Sequence, residues 1–164
     1  MDNGLGDRVS QTVNGITTNF ILDLNSGLTQ VLQDGAYTYL YGTDRIAQYG
    51  STSTEYFLGD ALGSVRQMVD ASGAVILAKS YDPYGNVKAS TGTGASRYGY
   101  TGEQNDSWGG IYLRARYYSS ATGRFTSKDT WEGDAYAPRS YNAWLYVDSN
   151  PVNFTDPLGF YPIT

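Results

Sequence analysis

A four-residue turn with aspartate first and glycine last returns along this chain as Asp60-Ala-Leu-Gly63, Asp70-Ala-Ser-Gly73, Asp82-Pro-Tyr-Gly85 and Asp156-Pro-Leu-Gly159. Aspartate at the head accepts bonds from the backbone two residues on, and glycine supplies the positive φ at which the chain reverses. The first three copies begin ten and twelve residues apart, the spacing of successive hairpin turns. A chain reversed so often cannot build long helices. It folds as consecutive antiparallel hairpins.

The segments between turns agree. Val65–Val69 and Val75–Tyr81 alternate with an imperfect period of two. Upstream, Thr18–Asp23, Leu28–Leu32, Tyr37–Tyr41, Arg45–Tyr49 and Glu55–Leu58 read as strands, with turns at Asn25-Ser-Gly27 and Asp34-Gly35. Together they form a weak internal repeat. The 20 glycines and 16 tyrosines suit half-dry, half-wet strand faces, with packed rings and hydrogen-bonded hydroxyls. Ala89–Ser96 is rich in glycine, serine and threonine and reads as a connecting loop. Trp131, Trp144 and Tyr146 are expected in the core.

Several kinds of chemistry are excluded. With no cysteine and no histidine, the chain can hold neither a Ser-His-Asp triad, nor a cysteine nucleophile, nor an ordinary structural zinc site. Acid-base chemistry must use Asp, Glu, Lys or Tyr, and no cofactor or metal is expected. The net charge is −5 and the eleven basic residues are scattered, so no nucleic-acid partner is expected. No run of eighteen apolar residues marks a membrane span. Met1–Asp7 carries no basic region and no apolar run, so no signal peptide is visible.

The last third adds a compact block: Tyr112-Leu-Arg-Ala-Arg-Tyr-Tyr118, Gly123-Arg-Phe125, Asn150-Pro151 and Asp156-Pro-Leu-Gly-Phe160. Its order and spacing resemble the RHS repeat-associated core, the C-terminal end of RHS/YD-repeat proteins. Ser80-Tyr-Asp-Pro-Tyr-Gly-Asn-Val87 is similar to the core of a YD repeat, and Leu58–Val65 to a segment that precedes the RHS core. The likeness runs from about residue 15 to residue 160. It divides the chain into a YD-repeat-like hairpin segment, 1–97, an RHS core, 98–160, and a short tail, 161–164.

The resemblance implies an all-β fold, a curled or spiralling YD-repeat sheet with the core folded inward as a C-terminal cap. It implies partners in the remainder of an RHS/YD-repeat shell or in copies of the chain itself, a C-terminal cargo absent from this chain, and a secreted or cell-surface location. It also implies self-cleavage by two aspartates and an arginine. Matched residue by residue, these are Asp129, Asp156 and Arg116, with the cut between Phe160 and Tyr161 and Phe160 in an apolar pocket. The step from Asp129 to Asp156 is 27 residues, a few longer than the family pattern, with the excess in Trp131–Ser140. Two adjacent carboxylates share a proton, so one acts as base toward water while the other acts as acid toward the peptide. Arg116 would orient a carboxylate or hold the reacting carbonyl.

Each of these residues also has a plainer role. Asp129 and Asp156 can cap turns, and Arg116 can be a buried pair partner or stack on tyrosine. On that reading the chain is a non-enzymatic β-rich assembly protein, polymerising through open sheet ends. Carbohydrate binding by a tyrosine-rich face is a third reading, carried by composition alone.

Overall fold

The computed structural model describes residues 1–164. Strands β1 (Ser10–Val13) and β2 (Ile16–Asn19) form a separate hairpin. Eight strands then form one antiparallel meander in strict chain order. They are β3 (Ile21–Asp23), β4 (Gln30–Gln33), β5 (Thr38–Tyr41), β6 (Arg45–Tyr49), β7 (Thr54–Gly59), β8 (Val65–Asp70), β9 (Val75–Tyr81) and β10 (Val87–Gly92). A second meander of four short strands follows: β11 (Gln104–Asn105), β12 (Ile111–Leu113), β13 (Arg116–Ser119) and β14 (Arg124–Phe125). The fold is therefore all-β, built from consecutive hairpins and not closed into a barrel, as expected of a YD-repeat sheet. No helix is long and apolar enough to cross a membrane.

The Asp-x-x-Gly turns join the strands as anticipated. At Asp70 the carboxylate accepts the backbone N–H groups of Ser72 (2.8 Å) and Ala74 (3.0 Å), while Gly73 donates to the Asp70 carbonyl. Asp60 and Asp82 repeat the pattern. The closing glycines Gly63, Gly73 and Gly85 all have φ between 80° and 87°, the geometry of a three-residue hairpin loop.

Two readings of the secondary structure need correction. Ala89–Gly92 is strand rather than loop: it belongs to β10 and pairs with β9, although every side chain of β10 is exposed. Polar composition concealed a strand held by its backbone ladder. Thr18–Asp23 is likewise two strands, parted at Phe20, whose ring is buried.

Each of the two larger sheets has its own core. Tyr39, Val65, Met68, Leu77 and Tyr98 fill the space under the large sheet. Tyr100, Ile111, Leu113, Tyr118, Phe125, Tyr146 and Val147 fill the second, where the rings of Tyr118 and Tyr146 stack 4.0 Å apart. Hydroxyls tie the second core to the large sheet: Tyr118 donates to the Tyr84 carbonyl and Tyr100 to that of Pro83. The expectation for Tyr146 agrees, but Trp131 and Trp144 are 54% and 44% exposed and lie outside both cores.

The N-terminal segment crosses to the second meander. Arg8 pairs with Asp106 at 2.8 Å, both side chains buried, and Tyr117 donates its hydroxyl to the same carboxylate oxygen. Arg8 also lies over the Tyr112 ring at 3.9 Å.

Candidate functional site

The turn between β12 and β13 places two arginines, Arg114 and Arg116, on a tight reversal in which Arg114 has a φ of 60°. Arg116 begins β13 and is buried to 6% side-chain exposure. Its guanidinium lies 3.6 Å from the Phe125 ring centroid, so it stacks on phenylalanine rather than tyrosine. The stack and the surrounding core desolvate the cation and lower its pKa, while Asp129 and Asp156 oppose the shift.

Four partners fix this guanidinium. Nη2 reaches Asp129 Oδ2 at 2.8 Å and Asp156 Oδ2 at 4.0 Å. Nε donates to the Gly159 carbonyl and Nη1 to the Ala143 carbonyl at 3.1 Å. One nitrogen thus faces both carboxylates, which places the two Oδ2 atoms within the sum of those distances of each other. Asp129 uses its other oxygen to accept the Trp131 N–H at 2.9 Å, so it heads a local turn and pairs with Arg116 at once.

Asp156 is more enclosed. Its side chain is 2% exposed, and Oδ1 accepts the N–H of Phe160 at 3.0 Å. Burial raises its pKa above the ordinary 3.8; the backbone N–H groups of Phe160, Gly159 and Tyr161, together with Arg116, pull the other way without cancelling it. The carboxyl therefore sits against the backbone on both sides of Phe160.

Arg116, Asp129, Asp156, Phe160 and Tyr161 all line one cleft of about 390 Å³. Trp131, Ala137, Pro138, Arg139 and Ser140 supply much of its wall, so the long step between the two aspartates is built into the site. Phe160 corrects an expectation. Its residue is 48% exposed rather than seated in an apolar pocket, because the bond from Phe160 N–H to Asp156 holds its backbone while the ring stays at the cleft surface. No group of three or more acidic side chains converges anywhere to offer a metal site, and the arrangement is two carboxylates on one guanidinium.

Sequence reading missed the support around this site. Arg114 bonds Glu103 through Nη1 at 3.0 and 3.1 Å and also donates to the Pro157 carbonyl. Burial raises the Glu103 pKa, against the pull of Arg114. The Arg8–Asp106 pair, 98 residues apart in sequence, was also missed. The only signal for it was Asp106-Ser-Trp-Gly109, another copy of the Asp-x-x-Gly turn.

An open meander of YD-type hairpins with a small second sheet docked on it defines a repeat-shell protein. The family model described as Teneurin YD-shell matches residues 23–152, and the chain belongs to that family. It is 35% identical over 164 residues to the tRNA3(Ser)-specific nuclease WapA of Bacillus spizizenii, covering 94% of this chain and 7% of that protein. It is 30% identical over 112 residues to the toxin subunit YenC1 of Yersinia entomophaga, covering 65% of this chain and 11% of that one. Among solved structures, the crystal structure of TcdB2-TccC3-TEV shares the fold with a TM-score of 0.71 at 21% identity, over 98% of this chain and 9% of its own. The chain thus spans about a tenth or less of the length of these relatives.

Proposed function

We propose that this chain closes a YD-repeat β-shell with its core segment, and that the cleft around Arg116 cuts the Phe160–Tyr161 bond once, as an aspartic self-protease. The observation that carries this reading is the enclosure of Asp156: a buried carboxyl with a raised pKa, set against the backbone N–H groups of residues 159–161 and facing the Arg116–Asp129 pair. Relatives named as toxin subunits and nucleases support a cargo-bearing whole protein, outside the cell or at its surface. Nuclease chemistry is not assigned to these 164 residues.

The step is a hydrolysis. Asp129, paired with Arg116 at 2.8 Å, takes a proton from water as the water oxygen adds to the Phe160 carbonyl carbon. Asp156, the acid of the pair, delivers its proton to the Tyr161 nitrogen as the C–N bond breaks. The products are a Phe160 carboxylate and a Tyr161 amine. Speed is not demanded of a single turnover whose bond is held in place by the fold.

Intact mass of the purified chain, carrying an inert extension after Thr164, tests this. A product ending at Phe160 is expected from the wild type, with Asp129→Asn and Asp156→Asn slower by about a hundredfold or more. A full-length chain under all conditions sinks the reading, as does a cut at any other bond.

A second, non-enzymatic reading has its own observation. Strands β3 and β10 leave both ends of the large sheet open, and β10 is exposed along its whole length. Assembly through those edges predicts oligomers in size-exclusion chromatography or negative-stain images. A compact monomer alone would count against it.

A further inference from the structure

Three consecutive carbonyls of the Asp156 turn are taken by three consecutive residues of the β12–β13 turn. Arg114 Nη1 donates to the Pro157 carbonyl, the Ala115 N–H to that of Leu158 at 3.2 Å, and Arg116 Nε to that of Gly159. The two turns are seated against each other residue for residue. Gly159 marks how close they come: a Cβ there would stand 2.5 Å from the Leu113 carbonyl oxygen and 3.0 Å from the Arg116 nitrogen.

Arg116 is already accounted for by its carboxylates, and Ala115 contributes only backbone. Arg114 is the member with no role in the chemistry. It lies outside the cleft of Arg116 and lines the larger cavity, of about 790 Å³, between the two sheets. There Glu103 binds its guanidinium, with side-chain exposures of 20% for Arg114 and 12% for Glu103. Nη2 reaches the Thr29 carbonyl at 3.4 Å, just before β4. Arg114 thus anchors the Asp-Pro turn to two other parts of the chain.

We propose that Arg114, held by Glu103, is a positioning residue that fixes the Asp156–Phe160 turn from behind and so sets the Asp156 carboxyl against the Phe160–Tyr161 backbone. The proposal rests on the self-processing reading for its consequence, though not for its geometry. A charged donor is required. Glu103 is acidic and largely shielded, at 12% side-chain exposure, and lysine can satisfy it and one carbonyl, whereas alanine satisfies neither and leaves the Glu103 carboxyl unpaired. Removing the guanidinium frees the turn at Pro157, and the bond from Phe160 N–H to Asp156 then opens more often.

Two measurements on the full chain separate the possibilities. Amide hydrogen exchange at Phe160 in the uncut chain reports the turn directly, with Met68 in β8 as a reference for the fold. Arg114→Ala is expected to speed Phe160 exchange about tenfold with Met68 unchanged, and to slow cleavage by a similar factor. Arg114→Lys is expected to restore most of both. Unchanged Phe160 exchange in Arg114→Ala overturns the proposal. So does equal loss of protection at Met68, which would make Arg114 a support of the whole fold. If the wild type is never cut, self-processing falls, while Phe160 exchange still decides the clamp.

Discussion

The Asp70 turn of the large sheet and the Asp156 turn of the second core share a sequence signature and a reversal, yet their surroundings differ in nearly every other respect. Asp70 is solvated: its pKa is lowered by the Ser72 hydroxyl first, then by the N–H groups of Ala74 and Ser72. Asp156 accepts backbone N–H groups too, but burial outweighs them and its pKa is raised. Asp106 is a third variant. Its turn is closed by Gly109 in the same way, but Oδ2 points at Arg8 and Tyr117, and Oδ1 finds no partner. One local motif serves as hairpin loop, as candidate acid and as buried pair partner. Local hydrogen bonding defines the reversal, and the packing around it decides what the carboxyl can do.

The glycines give the widest separation between the two regions. At Gly159 φ is 72° and an added Cβ would meet backbone at 2.5 Å, so Gly159→Ala is expected to destabilise by about 4 kcal/mol, combining left-handed strain with a clash that cannot relax. Gly73 has φ of 85° but nothing within 4 Å of the same position. There Gly73→Ala should lose only about 1 kcal/mol from backbone strain. Denaturant unfolding of both variants checks the ratio, and equal losses would mean that the two glycines meet equivalent surroundings.

Next in size is the ion pair. Asp129→Asn leaves Arg116 buried with its 2.8 Å partner neutralised, at a loss of about 3 kcal/mol by the same measurement. A loss under about 0.5 kcal/mol, the range of ordinary surface substitutions, would mean that the guanidinium is solvated.

How much of this was legible in the sequence follows the same division between local and distant. Arg45–Tyr49 and Val75–Tyr81 were readable to the residue as β6 and β9, because alternation and flanking turns are local signals. Arg116, Asp129 and Asp156 could be picked out by family spacing, and they do share a cleft. β10 could not be read, since Val87 is the one large apolar residue in a strand otherwise of exposed Lys, Ala, Ser, Thr and Gly, too little to mark an apolar face. Nor could the exposure of Trp131 and Phe160, because residue type fixes neither the path of the chain nor which face it turns to solvent. Arg8 with Asp106 and Arg114 with Pro157 are tertiary contacts that no window of sequence contains.

The finest comparison is one of sign. A carboxyl with a raised folded pKa holds its proton more tightly in the native state, so stability is greatest below the ordinary value of 3.8 and is lost as pH rises through the folded pKa. A carboxyl with a lowered folded pKa contributes stability above 3.8 and loses it as pH falls through the folded pKa. Asp156→Asn removes the first titration and Asp70→Asn the second. In thermal melts across pH 2 to 7, roughly the range over which carboxyls titrate, the gap between Asp156→Asn and wild type should move in favour of the variant as pH rises. The gap for Asp70→Asn should move in favour of wild type. Parallel movement of the two gaps would mean that both carboxyls sit in equivalent solvent, and the acid assigned to Asp156 would lose its physical basis.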